Sequence, residues 1–353
     1  MKTLSIKQLF SPLLVFLLTG CQSAAYYGQA VQGHFNLLAK RKPIDQLLDG
    51  DGITPGLRRQ LEAVQRIRSF ARDELGLPAR RQYDHYVELG QPYPVWSVMA
   101  APELSLQSRT WCYWFVGCLS YRGFFAEADA QRLASQLERE GWEVYLSGVP
   151  AYSTLGWFRD PVLSSFVHQP EAELAELIFH ELTHQVLFVP GDTVFNESLA
   201  VAVADEGLRR YSERYPQDLE RLQLTKKRRD DFVALVLSYR KRLQSVFAQP
   251  ISDEDKRVQK DLVYADLHQA YAEQKIRWNG YAGYDGWFAT VNNARLNTVG
   301  TYHDLVPAFR LLLQTSGNDL SLFFDECRKL ARLKQVERHQ YLRRLLPEDK
   351  KSA

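Results

Sequence analysis

Residues 180–184 read His180-Glu181-Leu182-Thr183-His184, and the next acidic candidate in register is Glu197, within Phe195-Asn196-Glu197-Ser198-Leu199-Ala200. Around the first string, Leu174, Leu177, Ile178, Leu182, Val186 and Leu187 recur at helical spacing with no Gly or Pro among them. Pro190-Gly191 stops that helix, and a second helical pattern from about Phe195 to Tyr215 carries Glu197 in its first turn. Two histidines four apart project from one face of a helix, so both imidazoles can reach one ion. A carboxylate from the following helix supplies a third ligand and leaves a fourth position for water. Three protein ligands and an open position define a catalytic zinc, whereas structural zinc sites are closed. The competing reading is a buried helix whose histidines are satisfied by hydrogen bonds.

The chemistry assigns roles. His180, His184 and Glu197 are expected to bind one Zn²⁺ through two neutral imidazoles and a carboxylate. Glu181 is expected to face the open position as general base, taking a proton from water and delivering it to a leaving amine. Asp205 and Glu206, further along the second helix, either orient a ligand histidine or form a solvated face.

The amino-terminal stretch is a second strong signal. Lys2 and Lys7 precede a largely apolar run from Leu9 to Leu18, and Leu18-Thr19-Gly20-Cys21 follows. The run is too short for a stable transmembrane helix. The pattern is that of a bacterial lipoprotein leader over residues 1–20, with Cys21 lipidated as the mature amino terminus. The alternative is an ordinary secretory leader. Gln22 after the cysteine favours the outer membrane by analogy with enterobacterial sorting. The expected location is therefore the cell envelope, lipid-anchored and facing the periplasm. Of 44 basic and 42 acidic residues, Lys2 and Lys7 belong to the leader, so the remainder is formally neutral. That balance argues against a nucleic-acid partner.

Cys112 and Cys118 flank Tyr113-Trp114-Phe115-Val116-Gly117, and either a disulfide or two buried thiols fits that spacing. Cys327 reads as a core position on a helix. The predicted architecture is α+β, a zincin-like metallopeptidase, mostly helical with a small mixed sheet whose edge strand precedes the metal helix. Residues 21–170 form a lobe of helices and sheet, residues 171–353 a helical metal-binding lobe, and the two make one catalytic domain. Helices are expected over 25–40, 57–75 and 127–140, and strands over 86–90, 95–101, 111–125 and 143–147. The edge strand is assigned to 152–157. There Tyr152, Ser153, Leu155 and Gly156 are candidate contacts for an extended peptide added as a further strand. The alternative is a connecting segment packed by its aromatics.

Thr225 to Phe247 and Asp253 to Lys275 read as a charged helical hairpin. For stabilising the oxyanion, Tyr302 is the first candidate, with His303, Tyr281 and Tyr284 as rivals. Asn292 and Asn293 either bind peptide backbone or cap a helix.

Taken together, several strings resemble the bacterial putative (predicted) aminopeptidase family, typically lipoproteins of Gram-negative bacteria. They are residues 151–158, His180-Glu181-Leu182-Thr183-His184-Gln185, Phe195-Asn196-Glu197-Ser198 and Asn292-Asn293-Ala294-Arg295-Leu296. Gly117-Cys118, Tyr121-Arg122-Gly123-Phe124 and Tyr26-Tyr27 match as well. The resemblance spans nearly all of the mature chain and implies a zinc peptidase of the glutamate-zincin type. Asn196-Glu197 is similar to the Asn-Glu of larger zinc aminopeptidases, where the glutamate is a ligand. Twelve residues separate His184 from Glu197, fewer than in those enzymes, and the glycine-rich exopeptidase motif has no counterpart.

The leading function is therefore a lipid-anchored zinc peptidase acting on peptides or proteins. The alternatives are a non-catalytic, chaperone-like factor binding periplasmic peptides or outer-membrane proteins, and a zinc hydrolase of non-protein amides. Glu181 favours the enzyme, because a binding module needs no general base.

Overall fold

The computed structural model describes residues 26–113, 116–151, 154, 156–216 and 219–346. Residues 26–39 form helix α1, and β1 (Lys42–Pro43), α2 (Ile44–Asp49) and α3 (Pro55–Asp73) follow. Thr54 caps α3 by accepting from the Leu57 amide, and Pro55 occupies the first turn, where a missing N–H costs nothing. Then come β2 (His85–Val87), β3 (Val95–Pro102), β4 (Trp111–Tyr113), β5 (Gly117–Leu119) and β6 (Arg122–Phe124). Helix α4 (Glu127–Arg139), β7 (Trp142–Val149) and β8 (Val162–Leu163) lead into α5 (Glu171–Val186) and α6 (Thr193–Arg214). The rest is helical: α7 (Leu219–Phe247), α8 (Asp253–Arg277), α9 (Asp285–Phe288), α10 (Asn293–His303), α11 (Val306–Thr315), α12 (Leu320–Ala331) and α13 (Gln335–Leu345). Mostly helical with small mixed sheets, the molecule is of the α+β class.

The described strands form three small sheets. One is mixed, with β1 antiparallel and β8 parallel to β2. A second is antiparallel in the order β6-β3-β7. The pleat of its central strand divides the side chains. Val98 and Ala100 pack on α4, while Val95, Ser97 and Met99 line the cavity described below. The third is the β4-β5 hairpin, closed by a Cys112–Cys118 disulfide between directly paired residues. Of the two readings of these cysteines, the bonded one holds. Cys327 is buried in α12, as its setting suggested.

The largest core joins α3, α5, α6, α11, α12 and α13 to the β1-β2-β8 sheet, and it draws on residues from both sides of position 170. Gly207 lets α6 approach α5 closely: a Cβ there would lie 2.7 Å from the Phe179 ring and 2.9 Å from Leu75. A second, aromatic core forms where α9 and the residues before it pack on the α7–α8 hairpin. Tyr284 packs against it, stacked on Phe232, whereas Tyr281 lies exposed at its edge, its ring 6.3 Å from that of Trp278 and beneath Arg228.

One expected strand does not form among the described residues. Among the described residues of 152–157, Thr154, Gly156 and Trp157 form no strand but a turn. The Trp157 amide donates to the Thr154 carbonyl (3.1 Å), and Gly156 has φ of +80°. The cause is Asp160, whose carboxylate accepts from the Thr154 amide and hydroxyl and draws Thr154 back towards it. Tyr152, Ser153 and Leu155 lie outside the described residues, as do the leader and Cys21. The edge strand that does precede the metal helix is β8, and it pairs with β2 rather than extending the β6-β3-β7 sheet.

Candidate metal centre

Helix α5 begins with Glu171 and Glu173, whose charge suits a helix amino terminus. Its apolar stripe of Leu174, Ala175, Ile178, Phe179 and Leu182 is buried in the main core, which turns His180 and His184 the other way. The chain then reverses through Pro190-Gly191. Three contacts hold that reversal. Asn196 uses its whole side-chain amide, accepting from the Val189 amide (2.8 Å) and donating to its carbonyl (2.9 Å). The Gly191 amide donates to the Val116 carbonyl of the disulfide hairpin (3.1 Å). Gly117, at φ +75°, lies against the same turn, and a Cβ on it would come within 2.6 Å of the Gly191 nitrogen. Asp192 caps α6 by accepting from the Phe195 amide, and Glu197 then faces the two histidines.

The three candidate ligands converge. Nε2 of His180 lies 3.2 Å from Nε2 of His184. The Glu197 Oε2 lies 3.2 Å from the first nitrogen and 3.6 Å from the second. Ligands placed about 2.0–2.1 Å from a central zinc at tetrahedral angles stand about 3.3 Å apart. The triangle therefore has the dimensions of one face of such a tetrahedron. Two nitrogens and one carboxylate oxygen also form a donor set that suits Zn²⁺. The residues fit the ion.

Electrostatics around the triangle are strongly coupled. Burial pushes the Glu197 carboxyl upward, but the His184 and His180 imidazoles outweigh it and hold the group down at about 2. Burial lowers His184, and the Glu197 charge reverses that, leaving it raised. Glu181 is 8% exposed, and burial raises its carboxyl above the usual carboxylate range despite the neighbouring imidazoles. A base whose pKa is moved towards neutrality is better matched to proton transfer near pH 7.

These groups open into a cavity of about 330 Å³. Its opposite wall is the sheet face of Val95, Ser97 and Met99 and one stripe of α10, Ala294, Asn297, Thr298 and Thr301. Tyr302 stands at its edge, its ring 6.3 Å from that of His180 and nearly parallel to it. The Glu197 charge and burial keep the Tyr302 hydroxyl protonated. Ser198 anchors the backbone there, donating to the Tyr302 carbonyl and accepting from the Leu305 amide. Tyr121 lines the same cavity, and burial, Glu197 and Glu181 raise its hydroxyl in the same way. By sequence it is one more aromatic of a strand-rich stretch. The one signal was its place in the Tyr121-Arg122-Gly123-Phe124 string.

The remaining candidates are placed elsewhere. His303 sits among Arg229, Asp205 and Arg310, where burial and Arg229 lower it to about 4. Tyr284 packs on the aromatic core and Tyr281 lies exposed at that core's edge, and neither lines the cavity. Asp205 pairs with Arg229 and Arg310, and Glu206 with Arg209 and Arg210, so neither orients a ligand histidine. A larger cavity of about 610 Å³ opens between those ion pairs, and it holds none of the three candidate ligands. Asn292 caps α10 by accepting from the Arg295 amide and donates to the Val144 carbonyl. Asn293 donates to the Pro102 and Glu103 carbonyls. The capping reading holds for Asn292 alone; Asn293 caps nothing, and its amide fastens α10 to the end of β3.

The class is thus a predominantly helical α+β protein with a His-His-Glu cluster able to hold a metal ion, set in a cavity beside a buried carboxyl. The chain belongs to the family described as "Putative aminopeptidase", whose model matches residues 25–342. No curated protein and no solved structure matches it.

Proposed function

We propose that this protein is a zinc-dependent, zincin-like metallopeptidase, held at the bacterial envelope by lipid on Cys21. The observation that carries the reading is the triangle of His180, His184 and Glu197 at tetrahedral-edge spacing, with Glu181 buried in the same cavity. When bound there, zinc supplies Lewis acidity and brings the pKa of water towards neutrality. Glu181 accepts a proton from the attacking water and returns it to the departing amine. Tyr302 and Tyr121, both kept protonated and both lining the cavity, are assigned to donate to the substrate carbonyl oxygen as it gains charge. Asn196 and Asp192 hold the α5–α6 reversal, and with it the distance between histidines and glutamate.

The test combines metal analysis with hydrolysis of free-amine and amino-blocked peptides by the wild type and by Glu181→Gln. The expected result is about one zinc per chain in both proteins and cleavage by the wild type alone. Equal zinc with no cleavage by either protein would leave the binding-factor reading standing. Cleavage restricted to free-amine substrates makes the enzyme an aminopeptidase, and internal cleavage of blocked ones makes it an endopeptidase.

A further inference from the structure

Helix α1 has two dissimilar sides. Tyr26 and Ala30 line the cavity. Gly33 stands against Phe125, whose ring a Cβ would strike, and Gln29 accepts from the Phe125 amide. The other side carries Tyr27, Val31 and Phe35, which are 44%, 55% and 57% exposed. Four-residue spacing places these three on one stripe. The stripe continues beyond the helix: the Phe35 ring lies 6.3 Å from that of Phe158, and neighbouring Trp157 is 74% exposed.

Charge sets this surface apart. No Asp, Glu, Lys or Arg occurs between Lys7 and Lys40, and Lys40-Arg41-Lys42 then follow in a row. Arg41 donates to the Arg159 carbonyl (3.4 Å), so two guanidinium-bearing residues border the apolar stripe; Asp84 lies 4.0 Å from Arg159. Other exposed apolar side chains, such as Val258 and Leu262 on α8 or Val336 and Tyr341 on α13, stand between charged neighbours. An uncharged aromatic stripe rimmed by cations matches the headgroup region of an anionic bilayer. No helix of the described residues is long and apolar enough to cross a membrane.

We propose that Tyr27, Val31, Phe35, Trp157 and Phe158 seat in the interface of a lipid bilayer containing anionic headgroups. The metal-ligand cavity, on the other side of the same helix, is thereby held next to the membrane. The inference rests on the anchoring proposed above for bringing α1 to the bilayer. Five residues carry the chain from Cys21 to Tyr26, a reach of at most about 18 Å.

The experiment uses the full chain on vesicles of mixed phosphatidylethanolamine and phosphatidylglycerol. Nitroxide labels go on Val31→Cys, Phe35→Cys and Trp157→Cys, with Val258→Cys and Val336→Cys as references and the parent chain, treated alike, as blank. Flotation reports anchoring, and label depth reports docking. Lipid-depth accessibility at 31, 35 and 157, with water-like accessibility at 258 and 336, is the expected result. A Val31→Glu, Phe35→Glu variant should return the label at 157 to water while its melting temperature stays unchanged. A chain that floats with water-exposed labels at 31 and 35 overturns the docking and spares the anchoring. A chain that does not float overturns both. Labels shielded equally without vesicles, in a protein that sediments as a dimer, would assign the stripe to a second copy instead.

Discussion

Asp192 and Glu197 stand at the start of the same helix, and each meets basic side chains, yet the protein treats them differently. Asp192 is 1% exposed and fully provided for. Arg338 donates to its Oδ2 from Nε (2.9 Å) and Nη2 (2.7 Å), His339 lies 2.9 Å away, and the Phe195 amide donates to Oδ1. Glu197 meets two imidazole nitrogens, with no Arg or Lys paired to it among the described residues. The Nδ1 of His184 is itself buried without a hydrogen-bond partner among them. The first carboxylate is saturated by cations of its own chain and ties α13 to the base of α6. The second is met by two imidazole nitrogens, and the three groups converge on one point. A closed ion cluster holds the structure together, whereas a convergent, incompletely satisfied one is suited to bind something else.

The comparison can be tested at both sites. At the open one, Glu181→Gln should lower kcat by about 10²–10⁴-fold at unchanged zinc content. Glu197→Gln should instead release the metal. Inductively coupled plasma analysis beside peptide kinetics separates the two, and equal metal loss in both variants would contradict the roles assigned. At the closed cluster, Asp192→Ala leaves Arg338 buried without its partner, and should cost about 3–5 kcal/mol in denaturant unfolding. A loss below about 1 kcal/mol would mean that the cluster is not structural.

Smaller effects are expected from the phenols. Tyr302→Phe and Tyr121→Phe should each lower kcat by up to about 10²–10³-fold, with little change in KM or metal content. Should only one matter, that residue is the oxyanion donor and the other is packing.

Acid stability provides the finest distinction. Burial raises the Asp192 carboxyl, but His339, Arg338 and the Phe195 amide outweigh it and leave it below the usual carboxylate range. A depressed folded-state pKa stabilises fully above the unfolded value of about 3.9, and the contribution is lost as pH falls through the lower folded value. Asp192→Asn should therefore flatten the acid limb of the stability curve below about pH 4. Acid titration of the unfolding midpoint measures it, and an unchanged limb would assign acid unfolding to other carboxylates.

Local patterns were readable where the cause is local. The i,i+4 histidines, the Pro190-Gly191 stop, the α7–α8 hairpin and the buried Cys327 follow from helical periodicity and breaker residues a few positions apart. Local pattern is silent where distant groups compete for the same backbone or carboxylate. Asp160 captures Thr154, and the described residues of the expected strand form a turn. Arg229 and Arg310 claimed Asp205, and Asn292 and Asn293 were used to fasten α10 to the sheet. Tyr121 could not be distinguished from its aromatic neighbours, because its value comes from what folds against it.

By itself, then, the sequence determined which side chains could ligate an ion and that two of them share a helix face, since the pitch of a helix sets that spacing. It also determined the uncharged, aromatic character of α1. Only the tertiary structure decided that Glu197 closes a triangle of tetrahedral dimensions, that Tyr302 and Tyr121 share its cavity while His303 does not, and which side of α1 is left exposed. Those outcomes depend on how α6, α10 and the disulfide hairpin pack. Packing is decided by the whole core rather than by any one stretch of chain.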